Sequence, residues 1–226
     1  MLPDNWLSII NNGSDEEIVA VLPLVERFAS SQGISALLLW PLLQRPDFAL
    51  RLRTFIALGR MADATVLPHL IKYLRQEQKT HWRLAALDAL SFLPGDKSAD
   101  LGQFIFDEDA LFLCGLIRLL ADQGPKALPY LLRFLASDRH NFLQDALLTE
   151  SVFAAAGNDD LMLQAWAEKD DNFARWYRHR IKWDGKRRYG IYPYADYMWQ
   201  QAKQAGLRQK QFKALYWRHR NKQSKN

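Results

Sequence analysis

The sequence predicts an all-α protein, a right-handed α-α superhelix of about five helix pairs with an N-terminal capping helix and a basic C-terminal helical extension. Three observations support this fold class. Apolar residues recur at helical spacing, a short segment repeats with a period of about 30 residues, and the alternation typical of β-strands is absent. We expect residues 1–184 to form the stack with its cap, and residues 185–226 to form the extension, packed on or beside it.

One short segment occurs twice and aligns without a gap. Residues 66–74 match residues 127–135, which lie 61 positions later and therefore two periods of about 30 residues further along the chain. Pro68 and Pro129 stand near the start of the two copies, where the first turn of a helix tolerates proline. The apolar residues of the first copy recur at helical spacing: Leu67, Leu70, Ile71 and Leu74.

Two more degenerate copies occur at residues 40–43 and 101–105, and each copy is followed by a second helical stretch. Most of these stretches end in small or helix-breaking residues. We expect these second helices over about residues 47–61, 80–93, 109–121, 141–156 and 171–183. Several begin with a residue suited to an N-cap: Asp47, Thr80, Asp109 and Asp171. Three further helices are expected, over about residues 15–30 as the cap, 192–205 with Gly206 as its stop, and 207–219.

The order of residues within one period resembles a HEAT-like helical repeat. Leu67-Pro68-x-Leu70-Ile71 is followed by Trp82-Arg83-x-Ala85-Ala86 and then by Gly95-Asp96, and residues 52–63 are similar. The resemblance covers about residues 34–184. It implies an α-solenoid in which each second helix carries an arginine, followed by small residues where adjacent repeats pack closely.

Charge is distributed unevenly along the chain, whose net charge is +5. Residues 1–174 hold 15 Lys and Arg against 23 Asp and Glu, whereas residues 175–226 hold 15 Lys and Arg against two Asp. Such polarity indicates an anionic partner for the basic end, either nucleic acid or an acidic protein surface. The alternative is that the basic end lies against the acidic body of the same chain.

A cationic motif occurs twice in the basic part of the chain. Two aromatic residues, Arg-His-Arg, one variable residue and Lys occupy residues 176–182 and again residues 216–222. We expect the aromatic rings to pack in a small core and the cations to bind phosphate or another anion, because arginine offers planar donors. The alternative leaves these cations in solvent without a partner. The expected anion-binding residues are Arg178, Arg180, Lys182, Lys186, Arg187, Arg188, Arg218 and Arg220.

Polar and aromatic residues on the second helices are candidates for the lining of a groove on the inner face of the stack. The groove candidates are Trp82, Arg83, Asp88, Gln144, Asp145 and Glu150.

No sequence pattern indicates catalysis. A nucleophile elbow, a P-loop and a dinucleotide fingerprint are missing, and the five histidines lack metal-ligand spacing, so we expect no catalytic residue, no metal and no cofactor. Cys114, the single cysteine, lies in an apolar run and is expected to be a buried thiol of a cytoplasmic protein. No apolar run reaches about 18 residues, and the N-terminus lacks a signal-peptide pattern, so no membrane span is expected.

We therefore expect a non-catalytic binding or scaffold protein that recognises a protein partner, with nucleic acid as a further partner for the basic C-terminal region. The alternative is an enzyme, because the resemblance extends to HEAT-like DNA glycosylases that act on alkylated bases and to bilin lyase subunits. Those glycosylases place aromatic residues and an Asp in a groove, but Trp82 and Asp88 are six residues apart and share no tight helical face. A third interpretation is a structural or antitoxin-like protein that sequesters another protein.

Overall fold

The computed structural model describes residues 2–135, 137, 148, 151–152, 154–156 and 195–212. Every regular element among these residues is helical and none is a strand, which confirms the all-α class. Contacts group the chain into two compact units. Among the described residues, the first unit holds 2–95 and 195–212, and the second holds those between 96 and 156. The boundary expected at residue 184 lies outside the described residues, as do the helix expected over 171–183 and most of the helix expected over 141–156.

The described α-helices are α1 (Trp6–Asn12), α2 (Asp15–Gln32), α3 (Phe48–Arg60), α4 (Leu67–Gln76), α5 (Thr80–Phe92), α6 (Ser98–Gly102), α7 (Ala110–Ala121), α8 (Leu128–Leu135), α9 (Ala195–Gln204) and α10 (Gln209–Phe212). Short 3₁₀ helices precede several of them: Ala36–Gln44, Ala64–Val66 and Gly124–Ala127. The expected second helices are therefore present as α3, α5 and α7. The helix α1 was not predicted, because seven residues are too few to show a clear helical period.

Side-chain caps explain where α2, α3 and α7 begin. Asp47 Oδ1 accepts from the N–H of Leu50 at 2.7 Å, and Asp109 Oδ1 accepts from the N–H groups of Leu111 and Phe112, so both predicted N-caps are confirmed. Ser14 and Glu17 form a capping box at the start of α2.

The predicted N-cap at Thr80 is wrong. Lys79 occupies the N-cap position of α5 and makes no side-chain capping bond. Glu77 Oε1 instead accepts from the N–H groups of Gln78 and Lys79, at 3.0 and 2.9 Å. A carboxylate two residues upstream therefore satisfies the backbone donors just before the helix, and Thr80 becomes its first residue.

The repeated segment buries equivalent residues in both copies. In α4 the buried side chains are Leu70, Ile71 and Leu74. The equivalent positions of the second copy, in α8, are buried as well: Leu131, Leu132 and Leu135. Each helix packs against the α-helix next to it, α4 against α5 and α8 against α7. The helical spacing read from the sequence thus identifies the core-facing side of both helices.

Glycine allows two close helix contacts. A Cβ added to Gly59 of α3 would lie 2.9 Å from both the Cα and the carbonyl oxygen of Ala89 in α5. A Cβ added to Gly102 of α6 would lie 2.1 Å from the ring of Tyr130 in α8. A methyl group fits at neither position without movement of its neighbours, so glycine sets the distance between these helices.

The segments that follow α3 and α7 make equivalent hydrogen bonds, two repeat periods apart in the chain. Asp63 Oδ2 accepts from the N–H of Ala36 at 2.9 Å, at the start of the first 3₁₀ helix. Gln123 Oε1 accepts from the N–H of Lys97 at 3.0 Å, just before α6. In both units a side chain two or three residues after the end of a second helix therefore accepts a hydrogen bond from the start of an earlier helix, which leaves fewer backbone donors unsatisfied.

Candidate functional site

The C-terminal segment of residues 195–212 is the part of the predicted basic extension that the structure describes. The predicted anion-binding residues lie outside the described residues: Arg178, Arg180, Lys182, Lys186, Arg187, Arg188, Arg218 and Arg220. In the sequence, six of these residues precede the C-terminal segment, and Arg218 and Arg220 follow it. The C-terminal segment is therefore the structural core of the basic region among the described residues.

A glycine turn folds the C-terminal segment into a helical hairpin. Gly206 adopts φ +86°, its N–H donates to the carbonyl of Lys203, and the N–H of Leu207 donates to the carbonyl of Ala202. These two bonds form a Schellman motif, which ends α9 where the sequence predicted a stop. The side chain of Gln211 then accepts from the N–H of Arg208 at 2.9 Å, at the start of α10.

Apolar side chains fasten this hairpin to the first unit. Phe212 is only 1% exposed, Ala202 is fully buried, and the rings of Trp199 and Phe212 lie 5.5 Å apart. The helix α9 contacts α10 and also α5.

Among residues 199–212 of the C-terminal segment, every exposed charged side chain is cationic: Lys203, Arg208 and Lys210. Residues 199–212 contain no carboxylate, and the remaining exposed side chains with polar groups are all glutamines: Gln200, Gln204, Gln209 and Gln211. The segment therefore offers hydrogen-bond donors and positive charge on a scaffold that its apolar residues hold in place.

Two of the groove candidates are buried. Trp82 is 3% exposed and Arg83 is 8% exposed, so both side chains lie in the interior of the first unit, while Asp88 is half-buried. The other three groove candidates, Gln144, Asp145 and Glu150, lie outside the described residues. The indole of Trp82 packs 4.8 Å from the ring of Phe48 and beneath the guanidinium of Arg51, whose Cζ is 4.1 Å from its ring centre.

Arg51 is the centre of a polar cluster that we did not predict from the sequence. Its Nη2 donates to the hydroxyl of Tyr73 at 2.9 Å and lies 3.5 Å from Glu77 Oε2, to which that hydroxyl donates at 2.7 Å. Tyr73 and Glu77 are four residues apart, a spacing that could have indicated their contact. Arg51 belongs to α3, Tyr73 to α4 and Trp82 to α5, so no pattern within one helix predicts the whole cluster.

Burial and hydrogen bonding set the protonation of this cluster. Burial, reinforced by the bond to Glu77, raises the pKa of Tyr73 above its ordinary value, so its hydroxyl remains a donor. Burial alone would raise the pKa of Glu77, but donors that include the Lys79 N–H and the Tyr73 hydroxyl, together with the charge of Arg51, lower it. The cluster is therefore an ionised, internally bonded link between α3 and α4, which favours a structural role.

Aromatic rings extend this cluster toward solvent. The half-buried indole of Trp40 lies 5.4 Å from the exposed ring of His69 and meets Tyr73 edge-on at 6.2 Å. The ring of His81 contacts both Phe48 and Trp82, with ring centres 5.8 and 4.7 Å apart. Burial, together with the charge of Lys79, lowers the pKa of His81 to about 4, so this histidine is neutral at pH 7.

The described residues show no group of three or more His, Cys, Asp or Glu side chains that could hold a metal ion. Cys114 is buried, as predicted, and burial raises the pKa of its thiol. A thiol with a raised pKa is a poor nucleophile at neutral pH. No helix in the described part of the chain is long and apolar enough to cross a membrane.

The chain was compared with known proteins. No protein-family model matches it, and no curated protein or solved structure matches it significantly.

Proposed function

We propose that this chain is a non-catalytic, HEAT-like helical-repeat protein that binds a macromolecular partner, and that its basic C-terminal region contacts an anionic surface of that partner. The observation that carries the proposal is the C-terminal segment, which buries Ala202 and Phe212 and exposes Lys203, Arg208 and Lys210. A cationic face on an anchored hairpin attracts anions and keeps the cost of ordering low on binding.

Internal geometry supports the repeat part of the proposal. Arg53 and Arg83 occupy equivalent positions of successive repeats, and both are buried in second helices. Gly59 and Ala89, which are also equivalent positions, meet where α3 and α5 pack. These are the positions at which a HEAT-like repeat is expected to carry an arginine and then small residues. Stacked repeats of this kind present extended surfaces that suit macromolecular partners.

The enzymatic alternative has weaker support. A glycosylase-like site would need an aromatic residue open to a flipped base, whereas Trp82 is covered on one face by Arg51 and is almost fully buried.

A pull-down from native lysate, with and without nuclease treatment, tests the proposal. The full chain is compared with a variant in which the arginines of the paired motif, Arg178, Arg180, Arg218 and Arg220, are replaced by Gln. The proposal expects the wild type to retain an anionic partner that the variant loses. A control with four Gln substitutions elsewhere, at Arg27, Lys72, Lys79 and Lys126, should retain that partner. Identical material bound to the wild type and to the variant of the paired motif would contradict the proposal.

A further inference from the structure

The exposed face of the C-terminal segment has the chemistry of a phosphate-binding surface. Among residues 199–212 it presents three cations and four glutamine amides, without one carboxylate. Of the large apolar residues of the same stretch, Phe212 is buried and Trp199 and Leu207 are half-buried, so none of them is fully exposed. Positive charge and hydrogen-bond donors are therefore what a partner of this face would meet.

This composition separates two classes of anionic partner. Affinity at protein–protein interfaces comes mainly from exposed aromatic or aliphatic anchors that become buried at the centre of the contact. In the C-terminal segment the two residues suited to be such anchors, Trp199 and Phe212, already pack against each other within the first unit. Nucleic-acid backbones require no such anchor, because Lys and Arg side chains and amide donors supply the contacts to phosphate. The observations thus favour a nucleic acid over an acidic protein.

The fold also orients these cations before binding. Gly206 and the Schellman bonds fix the turn between Lys203 and Arg208, and Phe212 holds the helix that carries Lys210. A backbone that is already ordered loses less conformational entropy when a ligand binds than a flexible basic tail would.

We infer that residues 199–212 form a binding site for the phosphodiester backbone of a nucleic acid, with Lys203, Arg208 and Lys210 contacting phosphates. The exposed glutamines donate further hydrogen bonds to phosphate or sugar oxygens. The inference rests on the proposed function and names the class of its anionic partner. Because the contacts are to the backbone, binding is independent of base sequence and weakens with salt.

Fluorescence anisotropy on the full chain tests this inference with three labelled probes: a single-stranded RNA, a duplex DNA of mixed sequence and a poly-glutamate peptide of similar charge. The test variant is Lys203→Gln/Arg208→Gln/Lys210→Gln. The matched control, Arg27→Gln/Lys72→Gln/Lys79→Gln, removes the same number of cations elsewhere in the first unit. Unchanged circular dichroism and melting temperature show that both variants fold.

We expect the wild type to bind RNA, DNA or both more tightly than poly-glutamate. The test variant should lose about 10-fold or more in affinity at about 100 mM salt, and the slope of log affinity against log salt should fall by about 2 to 3 for a duplex, one phosphate for each lost cation. The control should keep most of the affinity and most of the slope. The RNA and DNA probes show which nucleic acid supplies the backbone.

Three results would overturn the inference. Equal losses in the test variant and the control would mean that binding follows overall charge and not this site. Binding of poly-glutamate without binding of either nucleic acid would reject the inference and leave the proposed anionic partner in place. Failure of all three probes to bind would reject both.

Discussion

A buried ion pair joins the N-terminal cap to the helix that follows it. Arg53 of α3 contacts Glu26 of α2, and both side chains are only 7% exposed. Arg60 lies 3.3 Å from the second carboxylate oxygen of Glu26. Burial lowers the pKa of Arg53, and the Glu26 carboxylate opposes that shift. The Glu26 carboxylate therefore compensates the positive charge of Arg53, which would otherwise lie in the interior without a counter-charge.

Replacement of Glu26 by Gln should lower the free energy of unfolding by about 3 kcal/mol, because Arg53 would remain buried without its counter-charge. Chemical denaturation at pH 7 measures the effect. Glu16→Gln, at an exposed position of the same helix, is the control and should cost less than about 1 kcal/mol. Equal losses in the two variants would show that the ion pair contributes little.

His81 should make the stability of the protein depend on pH. Its pKa is about 4 in the folded protein against an ordinary 6.5, so the unfolded chain binds a proton more readily between these values. Stability is therefore retained above about pH 6.5 and lost as the pH falls toward 4. By pH 5 the expected loss of unfolding free energy from His81 is about 1 to 2 kcal/mol, because the half-buried ring is partly open to solvent, which screens its charge.

The contribution of His81 can be isolated with His81→Gln, measured as the change in unfolding free energy between pH 7.5 and pH 5. The variant should lose less stability than the wild type over this interval, although other groups, Glu77 among them, titrate in both proteins. An identical pH dependence in the two proteins would rule out a half-buried His81 that is neutral in the folded state.

At the scale of helices, α3 and α5 pack at a distance that Gly59 sets. In a helix, Gly→Ala ordinarily stabilises by about 1 kcal/mol. At Gly59 the added Cβ meets backbone atoms of Ala89, which cannot swing away as a side chain could. In Gly59→Ala the steric clash therefore lowers the free energy of unfolding, whereas the better helix propensity of alanine raises it.

We expect the steric cost to dominate in Gly59→Ala, with a net loss of about 1 to 2 kcal/mol in thermal or denaturant unfolding. Lys72→Ala, on an exposed position of α4, should change stability by less than about 0.5 kcal/mol. A higher melting temperature for Gly59→Ala would mean that the two helices are not in close contact there.

The hairpin of α9 and α10 depends on Phe212. Truncation of a buried Phe to Ala ordinarily lowers stability by about 3 to 5 kcal/mol. Phe212→Ala would remove a buried ring that holds the C-terminal segment in place. Limited proteolysis of Phe212→Ala should therefore cleave near residues 199–212 faster than in the wild type, with Gln209→Ala as the control. Equal cleavage rates in Phe212→Ala and wild type would argue against anchoring by this ring.

For the molecule as a whole, the C-terminal region combines structure with charge. The basic end was expected either to bind an anion or to lie against the acidic body. The described part of it packs through apolar residues onto α5, and its cations remain exposed. Packing onto the body and exposure of charge are therefore compatible, because different side chains of the same hairpin provide them.

Removal of residues 175–226 should destabilise the remaining chain, since it takes away the side chains that cover part of the first unit. The expected result is a melting temperature lower by several degrees and increased binding of a hydrophobic dye. An unchanged melting curve would show that the C-terminal region contributes nothing to the body of the protein.

Local sequence patterns predicted much of this fold. The buried sides of α4 and α8, the caps at Asp47 and Asp109 and the stop at Gly206 all follow from spacing or from a single residue type. Each depends on residues within about one or two turns of one another. The cap at Thr80 was misassigned because Thr80 is the first residue of α5, and Glu77, which lies outside the helix, accepts from the N–H groups of Gln78 and Lys79 just before it.

The sequence by itself determined the helical class, the period of about 30 residues and the polarity of charge. Only the tertiary structure placed Arg51 over Trp82, joined Glu26 to Arg53 and turned Phe212 inward from the cationic face. These contacts join residues from helices that are separate in the chain. They depend on how closely and at what angle the helices cross, and no pattern within a single helix contains that information.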